Sequence, residues 1–203
     1  MPRSLISRRT LIAAAGALAA TRAFAQAPAN PRVVIATDHG EITVELAQDK
    51  APITAGNFLR YVDHHRFDGS TFYRAVRTPG DPTDGLIEGG LQNAPGKLFP
   101  PIAHESTAQT GLHHIDGTIS MARAALGTAT ADFFICAGAA AYLDAKPGAP
   151  GDNAGYAAFG QVVQGMDVVR AILALPTNGV ARNPVMQGQI LSPPVVIERM
   201  RRG

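Results

Sequence analysis

The side chains of this chain that could carry out chemistry are few, and none falls into a standard catalytic pattern. The sequence has no Gly-x-Ser-x-Gly elbow, no phosphate-binding P-loop and no His-Glu-x-x-His zinc motif. The single cysteine, Cys136, lies in the apolar run FFIC, which predicts a buried and unreactive thiol. Two adjacent histidine pairs, His64–His65 and His113–His114, have diverging side chains. We therefore predict surface histidines, with a metal site built across both pairs as the alternative.

The composition excludes several classes of protein. A chain of 203 residues, 46% hydrophobic and 17% charged, can bury a core and forms one domain or at most two. The 21 glycines and 15 prolines show no Gly-x-y period, which favours a loop-rich β-protein over a fibre. One cysteine excludes an intramolecular disulfide framework and a cysteine-based zinc site.

The first 25 residues have the pattern of an export signal. Three arginines precede an apolar run, Leu11–Ala20, and Ala23–Ala25 supplies a small-x-small cleavage site before Gln26. The run is shorter than the roughly 20 residues that a membrane span needs, so we predict no stable membrane insertion. The stretch Ser7–Leu11 resembles a twin-arginine signal, which favours that route over general secretion and predicts a periplasmic protein. An alanine-rich surface helix is the alternative.

Removal of the signal changes the charge of the protein. Its four arginines leave 14 of the 18 basic side chains against 16 acidic ones. This slightly negative balance argues against a nucleic-acid partner. We divide the remaining chain into a short linker, residues 26–31, and one domain, residues 32–203.

The pattern of that domain predicts many short strands and two helices. Arg32–Thr37 and Glu41–Leu46 form a hairpin signal, and helices are predicted at Pro52–His64 and Gly165–Leu175. We expect loops at Thr78–Gly85 and Lys146–Gly155, and we expect Pro193–Pro194 to fix the entry to the last strand. The other predicted strands are Ser70–Val76, Leu86–Glu88, Gly117–Ala122, Phe133–Ala137, Ala157–Val163 and Val195–Met200. This organisation favours an antiparallel barrel with a helix over each open end.

A series of short motifs resembles one family. The chain contains, in order, Phe72-Tyr73-Arg74, Glu88-Gly89-Gly90, Ser120-Met121-Ala122, Asp132–Cys136, Tyr142-Leu143-Asp144 and Phe159-Gly160. Together with the stretch Ala51–Val62, they resemble the cyclophilin-type peptidyl-prolyl cis-trans isomerases over about Val33–Val196. The resemblance implies an all-β-dominated fold: a closed eight-stranded antiparallel barrel capped by two α-helices. It also implies an isomerase of X-Pro bonds that needs neither metal nor cofactor. The expected partners are proline-containing peptides and unfolded exported proteins, and the expected state is a monomer.

The resemblance also implies a site. Arg74 aligns with the catalytic arginine of the family, and Phe134 aligns with the floor of an apolar slot for the proline ring. Glu88 is the third residue placed in the catalytic group. The substrate-binding residues that the resemblance implies are Leu86, Ala122, Arg123, Asp132, Tyr142, Leu143 and Tyr156. The alternatives are an Arg74 that is salt-bridged at a sheet edge and a Phe134 that only fills the core.

Five positions depart from the family pattern. Carboxylates at Glu88 and Asp132 replace two glutamines, Gly85 replaces a large aromatic residue, and tyrosines at 142 and 156 replace tryptophan and histidine. The segment 77–84 is also longer than usual. These departures keep a second function open, that of a weakly active proline-peptide-binding module acting as a periplasmic chaperone or assembly factor. An unrelated β-barrel that binds a sugar or small ligand has no supporting motif.

Overall fold

The described part of the chain is a closed antiparallel barrel of eight strands. The computed structural model describes residues 29–203; the predicted signal peptide, residues 1–25, and the first residues of the linker lie outside this range. The strands are β1 (Arg32–Thr37), β2 (Gly40–Leu46), β3 (Ser70–Thr78), β4 (Asp81–Gly90), β5 (Thr118–Met121), β6 (Phe133–Ala137), β7 (Ala157–Gln164) and β8 (Ile190–Arg202). Around the barrel their order is β1, β2, β7, β5, β6, β4, β3 and β8, and β8 pairs again with β1. The predicted fold is thus confirmed.

Three helices accompany the barrel: α1 (Pro52–Asp63), α2 (Thr107–Thr110) and α3 (Met166–Leu173). Proline suits the first position of α1 because its missing N–H would have no helical partner there. The Glu105 carboxylate accepts the N–H groups of Ile53 and Thr54 at 3.1 and 2.7 Å. The two predicted helices are present. The one-turn α2 was not predicted because four residues are too few for a helical period.

Strand alternation separates two apolar layers. On β6, Phe133 and Ile135 point into the barrel, where Phe133 meets Phe58 of α1 edge to face at 5.3 Å between ring centroids. Phe134 and Cys136 of the same strand belong to a second, smaller cluster on the outer surface. The inner layer is thus the barrel core, and the outer cluster lies on the opposite face of the sheet.

The predicted loop at Thr78–Gly85 is wrong. Most of it extends the β3–β4 hairpin, whose strands are joined by only Pro79 and Gly80. The pairing of the strands is irregular between Arg77 and Thr78, so Pro82 lies where no ladder donor is required. The proline, glycine and aspartate content of this segment suggested a loop because a bulged hairpin uses the same residue types.

The predicted position of Pro193–Pro194 is also wrong, since both prolines lie within β8 and not before it. Opposite β3, the pairing of β8 passes from Ile190 directly to Val195. The prolines fall in this unpaired stretch, where a missing N–H leaves no ladder hydrogen bond unmade.

No helix among residues 29–203 is long and apolar enough to cross a lipid bilayer.

Candidate functional site

The outer cluster forms the floor of a cavity of about 290 Å³. Residues from β3, β4 and β6 and from the loops that follow β5 and β6 converge on it. Nine of the ten predicted site residues line it: Arg74, Leu86, Glu88, Ala122, Arg123, Phe134, Tyr142, Leu143 and Tyr156. The structure therefore brings these nine residues together around one cavity, and their roles in binding and catalysis stay predictions.

The cavity is an apolar slot with an aromatic base. Phe134 is 4% exposed, and Tyr156 stands edge-on to it at 5.5 Å between ring centroids. Leu143, in a one-turn 3₁₀ helix at Ala141–Leu143, packs on the same cluster, while Tyr142 is largely exposed at the rim. Phe134 does not fill the barrel core, because that position belongs to Phe133. A small cyclic aliphatic group fits a slot with these walls.

A β-bulge brings two consecutive side chains of β3 to the same carboxylate. Phe72 pairs with Gly89 and Arg74 pairs with Glu88, so Tyr73 is an extra residue in the strand. The Tyr73 hydroxyl donates to Glu88 Oε1 at 2.8 Å, and Arg74 Nη1 donates to Glu88 Oε2 at 2.7 Å. Burial, followed by the charge of Glu88, raises the pKa of Tyr73, which therefore remains a donor. Without the bulge, adjacent side chains would point to opposite faces of the sheet.

The Arg74 guanidinium is held from two sides. Its Nε and Nη2 donate to Gln189 Oε1 at 2.8 and 2.6 Å, opposite the bond to Glu88. Gln189 reaches this position because Ile190 pairs with Arg74 at the start of β8. These bonds use three of the five N–H groups of the guanidinium, so two have no partner among residues 29–203. They remain available at the wall of the slot. Arg74 is thus salt-bridged, as the alternative interpretation expects, but it does not lie at a sheet edge, because β3 is paired on both sides in the closed barrel.

Asp132 is the one predicted site residue that does not line the slot. It lies in an adjoining cavity of about 440 Å³, which Glu88, Ala122 and Arg123 also line. Gln92 N–H donates to Asp132 Oδ1 at 2.9 Å. Burial raises the pKa of Asp132 to about 6, and the nearby charge of Glu88 adds to this effect while the bond from Gln92 opposes it.

Asp132 should therefore titrate near pH 6, and the Glu88→Gln variant should move this pKa toward the usual aspartate value because it removes a like charge. Since the folded-state pKa is the higher one, the contribution of Asp132 to the free energy of unfolding is largest at low pH and is lost as the pH rises through 6. Carboxyl carbon NMR measures the titration, and urea unfolding of wild type against Asp132→Asn measures the stability. A midpoint near pH 4 in the wild type would contradict the assignment.

Arg123 anchors a loop beside the slot. Its guanidinium donates to both carboxylate oxygens of Asp152 at 2.7 and 2.9 Å and to the carbonyl of Gly155. The hydrogen bond from Arg123, with its charge, holds the pKa of Asp152 below the usual range. The side chain is therefore committed to the protein itself, and the surrounding main chain is what a peptide could contact.

Gly85 cannot carry the aromatic side chain that the family pattern has there. Its φ is +154°, and a Cβ atom would lie 2.0 Å from the carbonyl oxygen of Val76. Val76 and Met186 line this side of the slot, and Met186 comes from a 3₁₀ turn at Pro184–Met186.

Four residues of the site were not predicted from the sequence: Val76, Met186, Tyr73 and Gln189. The hydrogen bond between Arg74 and Gln189 spans 115 positions, which no local pattern reveals.

The histidine prediction is correct for three residues and wrong for the fourth. His64, His65 and His113 are exposed, whereas His114 is 1% exposed and lies behind Phe134. Cys136 is buried as predicted, and burial raises its pKa to about 12. Within the described range, no three His, Cys, Asp or Glu side chains are arranged to hold a metal ion.

Volume alone would not identify the site. A cavity of about 480 Å³ lies elsewhere on the barrel, beside β2, β5 and β7, lined by residues such as Leu112, Ile115 and Gln161. It has no arginine and no aromatic floor. The slot at Phe134 is the smaller cavity but the one where a cation and an apolar surface meet.

Comparison with known proteins gives a consistent result. The sequence model of the family described as "Cyclophilin type peptidyl-prolyl cis-trans isomerase/CLD" matches residues 32–201. Among relatives, the chain is 34% identical over 200 residues to "Peptidyl-prolyl cis-trans isomerase A" of Dickeya dadantii, covering 95% of this chain and 96% of the relative. It is 36% identical over 155 residues to a "Peptidyl-prolyl cis-trans isomerase" of Acinetobacter baylyi, covering 76% and 78%.

Solved structures show the same fold. A cyclophilin-type peptidyl-prolyl cis-trans isomerase of Cryptosporidium parvum, determined in the presence of the dipeptide Ala-Pro, superimposes with a TM-score of 0.63. The match covers 85% of this chain and 98% of that one at 18% sequence identity. At this identity the likeness concerns the fold.

Proposed function

The chain belongs to the cyclophilin-type peptidyl-prolyl cis-trans isomerases, and we propose that it rotates X-Pro bonds of exported proteins with Arg74 beside the slot floored by Phe134. The observation that carries this proposal is the Arg74 guanidinium, which keeps two uncommitted N–H groups at the wall of an apolar slot. The other predicted residues line the slot or its rim, except Asp132, which lies in the adjoining cavity.

The reaction needs stabilisation of a twisted amide and no bond cleavage. Rotation about a conjugated amide has a barrier of about 18–20 kcal/mol. In the half-rotated state conjugation is lost and the prolyl nitrogen regains a lone pair. A fixed N–H donor that reaches this lone pair binds the twisted state more tightly than either planar isomer, which is what lowers the barrier. No residue in this scheme acts as a nucleophile, and no cofactor takes part.

The apolar slot and the Arg74 guanidinium have different tasks in this reaction. The slot between Phe134, Leu143 and Tyr156 holds the proline ring and fixes that side of the bond. Gln189 and Glu88 orient the guanidinium, so that little side-chain entropy is lost when Arg74 meets the nitrogen. The protein therefore provides a preorganised donor and a fixed ring.

The ion pair between Arg74 and Glu88 should moderate the rate. The ion pair with Glu88 holds the Arg74 guanidinium toward the carboxylate and away from the prolyl nitrogen. We expect Glu88→Gln to raise kcat/KM on an Ala-Pro peptide by about 2- to 5-fold, because a neutral partner binds the guanidinium less strongly.

The rate is measured without a coupled protease, by NMR exchange between the cis and trans signals of the peptide. The matched control is Glu45→Gln, which removes an exposed carboxylate that pairs with Arg32 on β1, remote from the slot, and should leave the rate unchanged. An unchanged or lower value for Glu88→Gln would show that Glu88 orients Arg74 without restraining it.

The export role rests on the pattern of residues 1–25 and is tested separately. Residues 1–31 are fused to a fluorescent protein that folds in the cytoplasm. We expect the folded, fluorescent reporter to be exported. Loss of this export when Arg8 and Arg9 are replaced with lysine supports the twin-arginine route. Retention of the folded reporter in the cytoplasm would contradict the twin-arginine route.

The client role and the monomeric state are tested with the mature protein. An exported protein whose refolding is limited by an X-Pro bond should fold faster with the wild type and not with Arg74→Ala. Equal holding of the unfolded client by both forms, with no acceleration, would favour the chaperone function instead. Sedimentation at assay concentration should give the mass of one chain.

A further inference from the structure

His114 is a buried histidine with both ring nitrogens occupied. Its side chain is fully buried; Nδ1 lies 2.5 Å from Asp144 Oδ1, and Nε2 lies 2.9 Å from Ser120 Oγ. Asp144 also accepts the His114 backbone N–H at 3.0 Å. Two hydrogen bonds therefore fix the orientation of the ring, and the backbone bond ties the same residue to Asp144.

The fixed ring lies behind the floor of the slot. The His114 and Phe134 rings are nearly parallel, at 15° and 5.8 Å between centroids. Ser120 on β5 pairs with Phe134 on β6, so the hydroxyl that holds Nε2 comes from the residue beside Phe134 in the sheet. His114 does not line the cavity itself. It can affect a bound proline only through Phe134 or through the neighbouring wall.

The same network holds that wall. Asp144 directly follows the 3₁₀ turn that carries Leu143, and the Ala140 N–H at the start of the turn donates to the His114 carbonyl at 2.9 Å. His114 is thus tied to the floor by its ring and to the wall by its main chain and Asp144. His114 therefore contacts both the floor residue Phe134 and the turn that carries Leu143.

The protonation states suit this arrangement. Burial lowers the pKa of His114, against the opposing effect of Asp144, so the ring is neutral at pH 7. Burial alone would raise the pKa of Asp144, but the hydrogen bonds from His114 and His113 lower it, so Asp144 is ionised. The ionised carboxylate accepts from Nδ1–H, which leaves Nε2 to accept from the Ser120 hydroxyl. Every polar atom of the network then has a partner.

We propose that His114 is a positioning residue for proline binding: held between Asp144 and Ser120, it fixes the Phe134 ring against the Leu143 wall. This inference rests on the proposed function, because it takes Phe134 as the floor of the proline slot. No contact between His114 and the peptide is involved.

The test measures peptide affinity and turnover in His114→Asn. Asparagine keeps hydrogen-bonding groups for Asp144 and Ser120 but removes the ring behind Phe134. NMR titration with an Ala-Pro peptide should show Kd raised about tenfold, with the exchange rate of the bound peptide changed less than about twofold, since the slot binds both planar isomers and the twisted state. Ser120→Ala, which keeps the histidine ring but frees its Nε2, should raise Kd by a smaller factor.

Two matched controls separate positioning from loss of stability. His113→Asn removes the exposed neighbour, which also bonds Asp144 at 2.9 Å but does not touch Phe134, and should bind the peptide like the wild type. Val169→Ala shortens a buried core side chain of α3 that does not line the slot, and it should lower Tm without changing Kd.

A double-mutant cycle decides whether the effect passes through Phe134. In a Phe134→Leu background, His114→Asn should change Kd by less than about 1.5-fold. A full effect in that background, or a His114→Asn variant with wild-type Kd and only a lower Tm, overturns the inference. The proposed function fails on a different result, namely a wild type that neither binds the peptide nor accelerates its exchange.

Discussion

Replacing Arg74 with alanine should lower kcat/KM on an Ala-Pro peptide by about 10²- to 10³-fold, the effect expected when a preorganised donor to developing charge is removed. Binding of the peptide should change much less, because the slot contacts at Phe134 and Tyr156 remain. NMR exchange at enzyme concentrations above Kd gives the two quantities separately. The loss should therefore appear mainly in the rate of the bound peptide.

Two further variants separate a loss of catalysis from a loss of stability. Arg74→Ala leaves Glu88 buried without its cation, which can lower stability. Arg74→Lys keeps the charge beside Glu88 but loses the planar fork, and it should remain folded while losing most of the rate. Arg32→Ala removes an exposed arginine paired with Glu45 and should have wild-type activity. Wild-type exchange in Arg74→Ala would show that the guanidinium has no part in catalysis.

Shortening Phe134 should weaken peptide binding in proportion to the surface lost from the slot. Phe134→Ala should raise Kd for a proline peptide by about 10- to 30-fold, because an aromatic floor contributes about 1.5–2 kcal/mol to holding an apolar ring. The buried ring is also part of the outer cluster, so Phe134→Ala costs stability as well. Phe134→Leu keeps the cluster filled and is the safer variant for affinity measurements.

The neighbouring residue provides a control with the same chemistry. Phe133→Leu makes the same change one position earlier, on the inner face of β6, where Phe133 packs in the barrel core. It should lower Tm by more than Phe134→Leu and leave peptide affinity unchanged. Equal losses of affinity in both variants would mean that the effect arises from the stability of β6 and not from the slot.

The comparison of these two phenylalanines shows what the sequence could predict. Alternation along FFIC requires one to face inward and one outward, and the family resemblance places Phe134 in the slot. The alternating pattern of the strands and the helical spacing of apolar residues in the two longer helices likewise allow these elements to be predicted from the sequence. Where proline and glycine dominate, as at Thr78–Gly85, the pattern cannot distinguish a loop from a bulged hairpin, because both depend on missing donors and unusual backbone angles.

The supporting contacts of the site could not be predicted. Gln189 meets Arg74 only because closure of the barrel brings β8 beside β3, and Tyr73 meets Glu88 only because of the bulge. Asp132 lies next to the slot and not in it, because it precedes the first residue of β6 and lies in the adjoining cavity. Such contacts depend on register and closure, which are properties of the whole fold and not of a short segment.

Because the slot lies on the outside of the sheet, it restricts the shape and length of a substrate less than a tunnel would. Arg74, Leu86 and Phe134 all point outward from the barrel, so a polypeptide can lie across the groove without its ends passing through anything. A proline in the middle of a surface loop of an already folded protein is then as accessible as one near a free terminus. Head-to-tail cyclised peptides, which have no end to thread, should be turned over as readily as linear peptides of the same sequence.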